Sequence, residues 1–210
     1  MVRFFVGVDL GQKQDYTAIA VLERAEVAKG VDRVTWERVV EVRYNLRHLE
    51  RLALGTPYQE VVRRVRELTR SGELAGQCTV VADATGVGGA VMDLLRQAGL
   101  GCGLVAVTIT GSQRASRAGG EWHAPKRELV VGLQLMLETG ALRIAAGLKE
   151  SETFIRELTE MRVKITASGR EQFVPWREGK HDDLVLAAGL ACWRARWPVV
   201  GHQGRSLGLG

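Results

Sequence analysis

Two apolar runs of this chain end on an aspartate: FFVGVD closes on Asp9 and CTVVAD closes on Asp83. Short runs of Val and Phe bounded by turn residues read as buried strands. A carboxylate at the end of such a strand is costly unless it is paired or holds a cation. In open sheets with helical crossovers, ligands bind beyond the carboxyl ends of the strands. If the two strands are parallel neighbours, Asp9 and Asp83 lie side by side at that edge. A third acidic site, Asp182-Asp183, leads into an apolar helical pattern of Leu184, Ala187, Ala188, Leu190 and Ala191. Three convergent carboxylates need a cation between them, and oxygen-only ligation suits Mg2+ or Mn2+ rather than Zn2+. Each aspartate also has a plainer role. Asp9 can cap a turn above Gly11, Asp83 a helix near Val87, and either of the acidic pair can be an N-cap. Asp15 reads mainly as a turn residue.

The pattern along the chain predicts a mixed sheet with helices on both faces. Arg3–Leu10, Tyr16–Leu22 and Arg33–Tyr44 read as strands joined by the turn signals GQKQD and KGVD, hence antiparallel. Thr56-Pro57 reads as an N-cap followed by Pro in the first helical position, with Val61, Val65 and Leu68 on one face. Cys78–Ala82 and Leu104–Thr110 read as strands separated by a helix through Val91, Leu94, Leu95 and Ala98, so they are parallel with right-handed crossovers. Residues 111–124 read as a polar loop, and Pro125 opens a helix with Leu129, Leu133, Met136 and Leu137 on its apolar stripe. Thr153–Glu160 reads as a helix. Arg162–Thr166 and Gln172–Trp176 read as a β-hairpin, before a last helix starting near Asp182. The division expected is one domain over residues 1–200 and a flexible tail over 201–210.

Composition narrows the function. The 210 residues carry a net charge of +5, and 23 of the 29 cations are Arg. Arg favours planar, bidentate contact with phosphate, so nucleic acid is a natural partner, although a source that prefers Arg would show the same bias. The longest apolar stretch, Leu184–Trp193, has 10 residues, too few to span a bilayer. Cys78, Cys102 and Cys192 share no CxxC spacing, which fits a reducing cytoplasm better than a disulfide framework or a zinc finger.

At this point the motifs carry a resemblance. GVDLGQKQDYTAIAVLE, VVADATGVGGAVMDLL and GKHDDLVLAAGLA resemble the three acidic motifs of the nuclease domain of bacteriophage terminase large subunits. PKRELVVGLQLMLETGALRI resembles the helix and strand between the second and third motifs, and the likeness runs from about residue 3 to about residue 196. The resemblance implies an RNase H-like fold: a mixed five-stranded sheet, the first three strands antiparallel and the later ones parallel, with an extra hairpin before the last helix. It implies a metal-dependent endonuclease that cleaves double-stranded DNA with little sequence specificity, using two Mg2+ or Mn2+ ions. Asp9, Asp83 and Asp183 are then the catalytic ligands, with Asp182 also at the metal site. Asp183 is preferred within the pair because it leads directly into the helix, as in related resolvases. Arg114, Arg117, Lys126, Arg127, Arg162, Lys164, Arg170, Lys180 and His181 are candidate DNA contacts. The sequence has no G-x-x-x-x-G-K-[ST] loop. The resemblance therefore implies a packaging ATPase on another domain or subunit, with portal and small terminase as further partners, in the host cytoplasm. Other readings are a Holliday-junction-resolvase-like nuclease, an actin- or Hsp70-like nucleotide-binding module, and a non-catalytic DNA-binding domain.

Overall fold

The computed structural model describes residues 2–11, 15–86, 88–165, 171–175 and 181–197. The expected tail over 201–210 lies outside them. The chain opens with β1 (Val2–Asp9), β2 (Ala18–Val31) and β3 (Arg38–Arg51), each antiparallel to the next. β2 and β3 run well past the lengths read from sequence. Lys29 and Gly30 belong to β2, where a bulge between Ala28 and Gly30, with Gly30 at φ 137°, absorbs the glycine. The reversal lies instead at Asp32, whose Oδ1 accepts the Val34 and Thr35 amides at 2.8 and 2.9 Å. This side-chain turn delays β3 from Arg33 to Arg38.

After β3 come α1 (Tyr58–Thr69), β4 (Cys78–Asp83), α2 (Gly88–Gln97) and β5 (Gly103–Thr110). Thr56 does not cap α1. Its hydroxyl donates to the Ala53 carbonyl at 2.6 Å, and Pro57 takes the N-cap position. β6 (Ser116–Ala118) and β7 (Glu121–Pro125) follow, then α3 (Lys126–Glu138), β8 (Leu142–Ile144) and α4 (Ser151–Glu160). The hairpin of β9 (Met161–Ile165) and β10 (Glu171–Pro175) forms a separate two-stranded sheet, and α5 (Asp183–Arg196) closes the described chain.

The main sheet has eight strands in the order β6-β7-β5-β4-β1-β2-β3-β8, not the five expected. The central five, β3-β2-β1-β4-β5, have the expected directions. The extra strands come from both edges. β7 pairs parallel to β5 inside the segment read as a polar loop, with β6 folded back on it. β8 pairs with only Tyr44–Leu46 of β3. Edge strands of three to five residues leave too short a pattern for periodicity to reveal.

The sheet divides the core into two layers. α1 and α2 cover one face, packing Val61, Val65, Met92 and Leu95 on Val6, Val8, Ile19 and Val80. α5 lies centrally on the other, with α3 and α4 behind it. There Leu184, Ala187, Ala188 and Ala191 meet Phe5, Ala18, Ala20 and Leu46. α5 is buried from Asp183 to Trp193, which explains its nearly all-apolar sequence. Gly7 makes this approach possible, since a Cβ there would sit 1.9 Å from the Ala187 carbonyl oxygen. The helix therefore runs against the backbone of β1, and its N-terminus arrives where β1 ends.

Candidate functional site

A single row of the sheet prepares the site. Asp9 pairs with Ala18, and Ala18 pairs with Arg51. On the other side Val8 pairs with Ala82, so Asp83 follows beside Asp9. Residues in one row of adjacent strands share a face. Phe5 on β1, Val81 on β4 and Leu49 on β3 all pack toward the α5 layer, and even spacing puts Asp9, Asp83 and Arg51 there too. The N-terminus of α5 adds Asp183 from above. The result is an open cavity of about 420 Å³ lined by Asp9, Asp83, Asp182 and Asp183, together with Asp15, Thr85 and His181. Gly11 and Asp15 come close together on its wall: a Cβ at Gly11 would lie 2.3 Å from the Asp15 carbonyl oxygen.

The carboxylates of the two strands are buried and crowded. Burial raises Asp9 well above the usual carboxylate range, and the negative charges of Asp83, Asp183 and Asp182 add to it. The Asp83 carboxylate beside it pushes Asp9 up further. Asp83 is also raised by burial, against the pull of Thr85. Asp83 does not cap α2. Its Oδ1 accepts the amide of Thr85 at 2.8 Å and the Thr85 hydroxyl, whose oxygen accepts the Ile109 amide at 2.7 Å. A short local turn thus ties Asp83 to the next strand.

Asp183 is held by distant parts of the chain. Burial pushes it up to about 6, against the pull of Arg51 and His181. The Arg51 guanidinium lies 3.4 Å from Asp183 Oδ2 and is hydrogen-bonded to Glu157. Glu157, from α4, accepts the Leu184 and Val185 amides at 3.0 and 3.3 Å with its other oxygen. It therefore caps α5, a task read from sequence as falling to Asp182 or Asp183. Burial raises Glu157 to about 7, with Arg51 and the two amides opposing. Asp182 occupies the N-cap position with no side-chain cap bond, and instead receives Lys126 Nζ at 2.6 Å.

His181 Nδ1 is 3.7 Å from Asp183 Oδ2, and its ring meets Tyr16 edge-on at 4.8 Å. Of the candidate DNA contacts, Lys126 is thus drawn into the cluster by Asp182. Arg114 and Arg127 are exposed, as is Arg162 on the hairpin, and Arg117 lies over the Trp122 ring at 5.5 Å. The side chains of Lys164, Arg170 and Lys180 lie outside the described residues. Sequence reading missed Arg51, Glu157, Thr85 and Tyr16, and it placed Asp15 in a turn without placing it on the cavity wall. For Thr85 a signal existed, because Asp-x-Thr is a side-chain turn pattern. Arg51 and Glu157 carried none, being two of many charged residues until the register aligned them.

The donor set suits a hard divalent cation: carboxylate oxygens, with no cysteine beside them. Among the described residues, no three His, Cys, Asp or Glu side chains yet close around one coordination point. Two of the carboxylates already face cations, Asp183 the Arg51 guanidinium and Asp182 the Lys126 ammonium. Asp183 Oδ2 is nevertheless buried without a hydrogen-bond partner, a costly state that a further ligand would relieve. The chemistry of these donors fits a divalent cation.

No protein-family profile matches the chain. The terminase large subunit of Thermus phage G20c is 27% identical over 188 residues, covering 90% of this chain and 31% of that protein. The chain thus spans under a third of that relative's length. The crystal structure of the large terminase nuclease from G20c superposes with a TM-score of 0.62 at 24% identity, covering 90% of this chain and 81% of that one. The same nuclease with bound magnesium gives a TM-score of 0.61 at 25% identity, covering 91% and 80%. In sequence and in fold, the chain is similar to the nuclease domains of phage terminase large subunits, and its sheet is of the RNase H-like kind.

Proposed function

We infer that the protein is a metal-dependent endonuclease that cleaves duplex DNA during viral genome packaging. The observation that carries this is the delivery of Asp9, Asp83 and Asp183 by three separate elements to one open cavity. Solved G20c nuclease structures hold magnesium and cobalt, in line with such a site. Asp9 on β1, Asp83 on the neighbouring β4 and Asp183 at the start of α5 would hold the ions. A bound pair of divalent ions, Mg2+ or Mn2+, supplies a water activated at neutral pH and stabilisation of the leaving 3′ oxygen. Thr85 fixes which Asp83 oxygen faces the cavity. Glu157 fixes the first turn of α5, and with it Asp183. Lys126 neutralises Asp182 and holds it out of the ligand set. His181, on the cavity wall, is placed to meet the scissile phosphate. The exposed Arg114, Arg117, Arg127 and Arg162 track the backbone of DNA, with Lys164, Arg170 and Lys180 as further contacts. Nothing in this set reads base edges, so cleavage carries little sequence preference.

The packaging ATPase belongs to a further domain or subunit, with portal and small terminase as the wider assembly in the host cytoplasm. Among the described residues, no helix is long and apolar enough to cross a membrane. The test is supercoiled plasmid incubated with Mn2+, Mg2+ or EDTA. Nicking and linearisation with either metal, and none in EDTA, is expected. Equal cleavage in EDTA excludes the metal mechanism. Strong preference for a four-way junction over linear duplex moves the assignment to a resolvase-like nuclease.

A further inference from the structure

The Asp183 side of the cavity carries a cation of its own. Arg51 stands two strands from Asp9 in the same row, separated from it by Ala18, whose methyl group leaves the surface low. The guanidinium crosses that gap, lies 4.7 Å from the Tyr16 ring centre, and reaches Asp183 and Glu157 together. All three groups are withdrawn from water, with side-chain exposures of 16% for Arg51, 6% for Glu157 and 7% for Asp183. The two contacts are unequal. Arg51 hydrogen-bonds Glu157, whereas Asp183 Oδ2 receives no hydrogen bond and keeps its lone pairs for another ligand. Glu157 is itself fixed by the α5 amides. Arg51 is therefore anchored and cannot retreat far when an ion binds at Asp183.

We propose that Arg51 is a positioning residue that competes with a divalent ion for Asp183, and that Glu157 sets the strength of this competition by holding the guanidinium partly off the carboxylate. The inference rests on the reading of the acidic cluster as a metal site. Two positive charges served by one carboxylate at low local dielectric oppose each other strongly. Without metal, the same guanidinium neutralises Asp183 and keeps the start of α5 in place.

The two partners must therefore act in opposite directions. Arg51→Gln removes the competitor and tightens Mn2+ binding by about tenfold, while lowering the melting temperature without metal. Glu157→Gln keeps a carbonyl oxygen for the α5 amides but frees Arg51 to pair fully with Asp183, so Mn2+ binds several-fold more weakly. Calorimetric titration of metal-free protein with Mn2+ reads both, and thermal melts with and without Mn2+ report the fold. Mere structural damage moves both variants the same way. Weakened binding in both, or both within about twofold of wild type, overturns the proposal. If Arg51→Gln does not fold without metal, Arg51→Lys decides the matter. It keeps the charge but loses the fork, so Mn2+ affinity holds within about threefold while thermal stability drops. Affinity gained by about tenfold in Arg51→Lys contradicts the competition. Wild-type protein that binds no Mn2+ at all removes the metal reading itself, a separate and distinguishable failure.

Discussion

The two flanks of the acidic cavity are supported in different ways. Asp83 is held by Thr85, two residues away, through a turn that also bonds Ile109 of the neighbouring strand. Asp183 is held by Arg51 and Glu157, which lie 106 residues apart in the chain. The local flank forms as soon as β4 and β5 pair. The non-local flank exists only when β3, α4 and α5 have all docked. It also buries more charge, so it should be the more sensitive to mutation, to pH and to metal. The cavity joins a carboxylate of nearly fixed geometry to one whose position depends on the whole fold.

The largest effect expected is on activity, and it removes either flank alike. Asp9→Asn, Asp83→Asn and Asp183→Asn should each lower plasmid cleavage by about a thousandfold or more, which is roughly 4 kcal/mol of transition-state stabilisation. The metal-free melting temperatures of the Asp9 and Asp83 variants should hold or rise, because each change relieves like-charge repulsion. A variant that keeps cleavage within about tenfold of wild type does not lack a core ligand.

Breaking the non-local flank alone comes next. Glu157→Ala leaves Arg51 without its hydrogen-bonded partner and α5 without its cap. Urea unfolding should show a loss of about 3–5 kcal/mol, the usual cost of orphaning one member of a buried ion pair. A loss below about 1 kcal/mol would place the support of α5 elsewhere.

Proton linkage sharpens the contrast further. Asp183 is raised from 3.8 to about 6 and Glu157 from 4.5 to about 7. The native state therefore holds these protons more tightly than the unfolded state does. Their contribution to stability is complete below about pH 4 and is lost as pH rises through about 4 to 7. Metal-free protein should melt several degrees lower at pH 8 than at pH 5, where part of this contribution remains. Mn2+ should raise the melting temperature more at pH 8 than at pH 5. A metal-induced shift that is equal at both pH values would show that these carboxylates do not couple to the ion.

On the local flank, Thr85→Val removes one bond to Asp83 and the acceptor of the Ile109 amide. The expected cost is about 1–2 kcal/mol in urea, smaller than for Glu157→Ala. The reverse order would show that the short turn, not the distant network, carries the cavity. Asp182→Asn should have the smallest effect. It weakens a partly buried ion pair with Lys126 but keeps a hydrogen-bond acceptor, at a cost of about 1 kcal/mol, and should leave cleavage within a few-fold of wild type. Loss of cleavage on the scale of Asp183→Asn would make Asp182 a ligand as well.

Much of the acidic edge was legible beforehand. The apolar runs ending at Asp9 and Asp83, and the helix led by Asp183, are patterns that a chain displays within ten residues. The antiparallel start and parallel continuation of the sheet followed from connection lengths. The short edge strands β6 and β7 were not legible, because three to five residues carry almost no periodicity, and β8 was legible only through the family resemblance of GALRI. The capping of α5 was also misassigned. A helix headed by two aspartates looks self-capped, yet the cap comes from Glu157 on another helix.

By itself, the sequence determined where single carboxylates end apolar elements, and therefore that an acidic edge would form. Those placements depend on short-range spacing, and hydrophobic periodicity enforces them. Only the tertiary structure decided which charges neutralise that edge. Arg51 became the partner of Asp183 because strand register put it in the row of Asp9, and Lys126 became the partner of Asp182 because α3 packs beside α5. Ion pairing depends on distance in space to within a few ångströms, and a residue's position in the chain does not encode that distance until the sheet and helices have closed around it.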